Sequence, residues 1–107
     1  MKIRSKKHLK FVSQHSCIVT GICGEGVQSH HLLRAGGHGI ATKACDSKTI
    51  PLHYVIHDAL HKNGNEIAFF ANHGLDYETV KQIARDLSNR SPDKRIREIN
   101  NLITKGE

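Results

Sequence analysis

Apolar residues in this chain come in short clusters set off by glycine and polar turns, and the clusters change character from one half to the other. Residues 8–20 (HLKFVSQHSCIVT) mix Leu9, Phe11, Val12, Ile18 and Val19 with polar positions and stop at Gly21, a packed segment leading into a turn whose type the pattern leaves open. Residues 27–33 (VQSHHLL) read as a short strand, and residues 34–47, with Gly36, Gly37 and Gly39 and no apolar period, read as a loop. A second strand is expected over residues 49–52. A helix should follow over about 53–63, stopped by Gly64, which tolerates the left-handed position after a helix. The order is strand, loop, strand, helix.

Helical spacing takes over downstream. Residues 66–72 (EIAFFAN) predict two turns closed by Gly74, with Ile67, Phe69 and Phe70 offered to the core. Asp76 reads as the N-cap of a helix to about residue 88, with Val80, Ile83, Ala84 and Leu87 recurring at three and four. Ser91 and Pro92 repeat the start signal, and Ile96, Ile99 and Leu102 or Ile103 mark the apolar face of a last helix. At 107 residues the chain should form a single domain. Its parts would be a basic arm over about 1–10, a core over about 27–64 and a helical extension over about 66–105.

Charge narrows the range of partners. Sixteen Lys and Arg against ten Asp and Glu leave +6, and residues 1–24 hold Lys2, Arg4, Lys6, Lys7 and Lys10 with no acid. Such an excess favours a polyanion, because cations that neutralise phosphates release counterions. Nucleic acid is the first expectation, with those five residues and Lys43 as phosphate contacts. No apolar run has the length of a membrane span or follows the pattern of a secretion signal, so a cytoplasmic location is expected, without a membrane partner. Cys17, Cys23 and Cys45, an odd number, read as reduced thiols.

Histidine is the residue in surplus, with nine. His57 and His61 stand four apart in an expected helix, so both rings leave one face and can share a metal ion. His30 and His31 are adjacent in an expected strand, where neighbouring side chains point opposite ways. One of the two can complete a three-imidazole site while the other takes a proton from water. Three neutral imidazoles leave the charge of a cation available to phosphate, and an open coordination position keeps it catalytic.

The run His30-His31, Asp46 fifteen positions on, then His57 and His61 resembles the HNH (His-Me finger, ββα-metal) endonucleases. Within them it is most similar to small phage and bacterial members related to a RecA-dependent phage nuclease. The likeness covers roughly residues 8–72 and includes His8 to Val12 before Cys17, Gly39 through Lys43 to Asp46, Ile50-Pro51-Leu52, and Gly64 with Glu66 after His61. It implies an α+β fold, a small ββα-metal core with additional C-terminal helices. It further implies that His31 is the general base, that His30, His57 and His61 are metal ligands, and that Asp46 orients the base. An Asp in that place can accept a hydrogen bond from one His31 nitrogen and raise the basicity of the other.

Many such proteins also hold a structural zinc between a Cys-x-x-Cys and a Cys-x-x-His pair. The matching positions here are Cys17, Thr20, His53 and Ile56, and even with Cys23 as a substitute a structural zinc is not expected. Asp58 points about 100° around the helix from its neighbouring ligand and is left out of the site.

These readings make the chain a metal-dependent DNA endonuclease of little sequence preference. It would use one divalent ion (Mg, Mn, Zn or Ni) in a bacterial or phage-infected cell, and the resemblance implies 5′-phosphate and 3′-hydroxyl ends. A domain this small has little surface for sequence readout, so a protein partner that directs the cut is part of the expectation; the oligomeric state stays open. The alternatives are a non-catalytic nucleic-acid-binding module braced by metal, and a metal hydrolase with a non-nucleic substrate.

Overall fold

The computed structural model of the chain describes residues 4–32 and 45–98. Two short strands, β1 (Val27–His31) and β2 (Thr49–His53), pair antiparallel in the register Val27 to His53, Ser29 to Pro51 and His31 to Thr49. Around them lie α1 (Lys6–Ser13), α2 (Tyr54–Asn63), α3 (Glu66–Asn72) and α4 (Tyr77–Asn89), and residues 94–98 are again helical. The architecture is α+β. No described helix is long and apolar enough to cross a membrane.

Local signals account for most boundaries. Asn65 and Asp76 accept backbone N–H bonds from Ala68 and Glu78 at 3.1 and 3.0 Å, each satisfying a donor that a helix start leaves orphaned. At the end of α2, Gly64 sits at φ 79° and gives its N–H to the Leu60 carbonyl. Gly26, at φ 92°, lies so close beneath His53 that a Cβ there would come within 2.9 Å of the ring. Only glycine lets β1 start against the first turn of α2.

Leu32, Ile50, Leu52, Leu60, Phe70 and Val80 form the centre of the core. β2 is buried from Thr49 through Leu52. α1 packs on both strands, α2 also touches both, and α4 adds to β2. α4 contributes Val80, Ala84, Leu87 and Ser88, a single stripe of the helix.

Three expectations need correction. The basic segment is not an arm throughout: from Lys6 it is helix, capped by the Ser5 hydroxyl, which accepts from the His8 N–H at 3.1 Å. Its buried positions are His8 and Val12, so half of its inner face is a histidine that a hydropathy pattern does not register. Ile67 is 47% exposed, and Glu66 is the buried residue of that turn. The last helix starts after Asp93 rather than Ser91. Asp93 Oδ1 accepts from the Arg95 N–H at 2.9 Å, whereas the Ser91 hydroxyl is used by Asp93 N–H and His8. The expected loop beyond Leu32 and before Cys45, and Ile99, Leu102 and Ile103, lie outside the described residues.

The packing sets a stability contrast. Phe70→Ala should cost about 3–5 kcal/mol of unfolding free energy, as a buried ring lost to a cavity does. Ile67→Ala, at a half-open position, should cost under about 0.5 kcal/mol. Urea denaturation of both variants checks this, and a larger loss at Ile67 would mean the core is drawn in the wrong place.

Candidate active site

β1 presents two imidazoles in opposite directions, because successive side chains of a strand leave opposite faces. His30 turns to α2, where His57 and His61 lie one turn apart. Ring centroids are 4.9 Å apart for His30 and His57, 4.7 Å for His57 and His61, and 6.4 Å for His30 and His61. The structure thus gathers the three proposed ligands.

Hydrogen bonds decide which nitrogens are available. His57 Nδ1 donates to Gln28 Oε1 at 2.8 Å, which leaves Nε2 with its lone pair, and that atom faces His61 Nε2 at 3.1 Å. Burial pushes the His57 ring below its ordinary value, the charges of His30 and His61 add to this, and Asp58 opposes it. A ring kept neutral is the form that binds metal. Two nitrogens bound to one ion at about 2.0–2.1 Å stand about 3.3 Å apart, so this pair already has the spacing of two ligands.

The third ring is committed elsewhere. His30 Nε2 lies 3.0 Å from Glu66 Oε2, and among the described residues no three His, Cys, Asp or Glu side chains are disposed to hold an ion as they stand. The donor chemistry nevertheless fits one divalent ion, with Nδ1 as the nitrogen that His30 has left to offer. Asp58 is exposed and pairs with Lys62 at 3.1 Å, outside this cluster.

On the other face His31 Nε2 meets Asp46 Oδ1 at 2.7 Å. Asp46 is 2% exposed, and Arg4 Nη1 reaches the same oxygen at 3.2 Å while the Ser5 N–H donates to Oδ2 at 2.6 Å. Burial pushes the Asp46 carboxyl up, but the hydrogen bonds from His31 and Ser5, the charge of His31 and the bond from Arg4 together hold it below the usual carboxylate range. A carboxylate there draws the His31 proton to Nε2 and leaves Nδ1 as the basic nitrogen. The His31 side chain is 26% exposed.

Several neighbours of these side chains carry no signal in the sequence. Ser5 Oγ donates to Asp93 Oδ2 at 2.5 Å, and Arg95 Nη2 reaches the same oxygen at 3.1 Å while also donating to the Arg4 carbonyl. The Asp93 carboxyl lies far below its ordinary value, first because of the Arg95 hydrogen bond and then because of Ser5. Gln28 and Glu66 each bond to one of the proposed ligands. A capping serine and an acid at a helix start are ordinary local features, so nothing marked them.

Of the expected phosphate contacts, Arg4 is drawn to Asp46 beside His31, and Lys6, Lys7 and Lys10 are exposed on α1. Lys2 and Lys43 lie outside the described residues. At the position of a structural zinc the residues do not fit the metal. Ile56 packs on the core, and the Thr20 hydroxyl accepts from the Ile22 N–H at 3.2 Å. The remaining donors fall short of the four N or S ligands such a site needs.

A family model described as a protein of unknown function (DUF968) matches residues 1–89. No curated protein and no solved structure matches the chain.

The two depressed carboxyls set the acid response. With folded values below the unfolded value of about 3.9, their contribution is complete above that pH and disappears as pH falls through the folded values. Asp46→Asn and Asp93→Asn should each lower the urea midpoint near pH 6 and lose less than the wild type between there and pH 3. A variant as steep in its pH dependence as the wild type would remove that carboxyl from the network.

Proposed function

The chain belongs to the DUF968 family, and we propose that it is a metal-dependent endonuclease that hydrolyses DNA phosphodiester bonds with little sequence preference. One observation carries the reading. Adjacent residues of β1 supply imidazoles to two different partners, His30 to the His57–His61 pair and His31 to an ionised carboxylate. A purely structural histidine doublet has no need of that division.

His31 takes the proton of the attacking water at Nδ1 while Asp46 holds the proton on Nε2 and stabilises the imidazolium that results. Asp46 in turn is kept in register by Ser5 and Arg4. Half of the Arg4 side chain remains exposed next to the base, where its guanidinium can meet a phosphate. His57 and His61 through Nε2, and His30 through Nδ1, would hold one divalent ion in the ββα-metal manner. Bound there, such an ion supplies charge to the pentacovalent phosphorus and to the departing 3′ oxygen. The exposed lysines of α1 add salt-sensitive affinity for the backbone. The products are a 5′-phosphate and a 3′-hydroxyl.

A second reading, a non-catalytic DNA-binding module braced by metal, draws support from the engagement of His30 Nε2 with Glu66. Plasmid nicking with added Mg²⁺, Mn²⁺, Zn²⁺ or Ni²⁺, alongside metal content, separates the two. The wild type should cut, His31→Ala should cut about 10²–10⁴-fold more slowly while still binding metal, and His57→Ala should lose the metal. Cleavage by His31→Ala at the wild-type rate sinks the assignment, and DNA binding without cleavage under every metal favours the second reading.

A further inference from the structure

Glu66 is an unusual residue for the place it occupies. It is the first residue of α3, where an acid normally faces water and favours the helix dipole, yet it is 5% exposed. Burying a carboxyl group is costly unless donors satisfy it, and here they come from two elements. His30 Nε2 reaches Oε2 at 3.0 Å, and the Tyr77 hydroxyl donates to Oε1. Tyr77 is the first residue of α4, so a carboxylate bridges the sheet to a second helix start. His30 is itself 4% exposed.

From this geometry we infer that Glu66, backed by Tyr77, is a positioning residue: it fixes the tautomer and ring orientation of His30, so that Nε2 carries the proton and Nδ1 is presented to a divalent cation beside His57 and His61. The inference rests on the metal-dependent reading of the site and specifies how its third ligand is prepared. A parallel arrangement supports it. His57 is prepared by Gln28, which takes its Nδ1 proton and frees Nε2. Two rings of one cluster are thus each pinned through one nitrogen by a side-chain oxygen, as hydrogen-bonded partners behind metal-binding histidines do. The partners also explain the opposite choice of nitrogen. Gln28 lies on β1 beside α2, whereas Glu66 enters from α3, so the two rings are held from different sides.

The test combines a tautomer measurement without metal and a metal titration, in wild type, Glu66→Ala, Glu66→Gln and Tyr77→Phe. In ¹⁵N-resolved NMR of the metal-free full chain, His30 should be protonated on Nε2. The preference should disappear in Glu66→Ala and survive in Glu66→Gln, whose amide oxygen still accepts the bond. Calorimetric titration with Zn²⁺ or Mn²⁺ should show about 10–100-fold weaker binding for Glu66→Ala, with smaller losses for Glu66→Gln and Tyr77→Phe. Glu66→Gln keeps the question answerable if the alanine variant does not fold. An Nδ1-protonated His30 in the wild type, or a folded Glu66→Ala with wild-type affinity, overturns the positioning role. Wild-type protein that binds neither ion overturns the function reading instead, while the metal-free spectrum still decides the tautomer.

Discussion

The buried carboxylate of Asp46 is the point on which the rest of the molecule turns. It receives His31, Arg4 and the Ser5 N–H, while its own carbonyl accepts from the Thr49 hydroxyl at 2.9 Å. The first contact sets the proposed base, the second and third fix the chain where α1 begins, and the last anchors the start of β2. A group this buried is tolerable only because its acceptors are filled, and the buried Ser5 N–H would lose its acceptor if the carboxylate were removed. The coupling extends outward, since the same Ser5 hydroxyl that caps α1 donates to Asp93 at the start of the last described helix. Both ends of the described chain therefore converge behind one side chain of the site.

Legibility in the sequence followed the range of the interactions. β1, β2, α2 and α4 were readable because their signals are local: a period of two or of three and four, Asp76 at a cap, Gly64 past an end. α1 escaped because the inner face pairs Val12 with His8, whose burial depends on Ser91, eighty-three positions away. The same serine is why the last helix starts later than its local signal implies. Its hydroxyl is a good cap in isolation, but the fold uses it for His8 and leaves capping to Asp93. Ile67 and Glu66 exchanged roles for a related reason, because the partners of Glu66 come from β1 and α4 and no periodicity within α3 reveals them.

The site divides in the same way. His57 and His61 are neighbours on one helix, so their proximity follows from spacing alone. The pairing of His31 with Asp46 spans fifteen residues and was accessible only through the likeness to a family pattern. Gln28, Ser5, Glu66 and Asp93 act on the site through contacts that no motif encodes. They hold and orient side chains whose chemical type alone was visible.

A two-stranded sheet has only two faces, and β1 gives a histidine to each. That is costly for so small a core: β2 is buried along four consecutive residues, whereas β1 spends one buried and one partly buried position on polar rings. Each ring is compensated by a carboxylate from elsewhere, Glu66 for His30 and Asp46 for His31. Similar pairs nevertheless lead to different chemistry because their exposure differs. His30, 4% exposed, is enclosed against two other imidazoles, so a free nitrogen there is suited to a cation rather than to exchange with solvent. His31, 26% exposed, has the same kind of partner at one nitrogen and water at hand for the other. In the proposed reaction the exposed ring is the one suited to meet water, and the enclosed ring is the one suited to a cation. Burial, more than residue type, is what would assign the adjacent histidines to separate tasks in the proposed site.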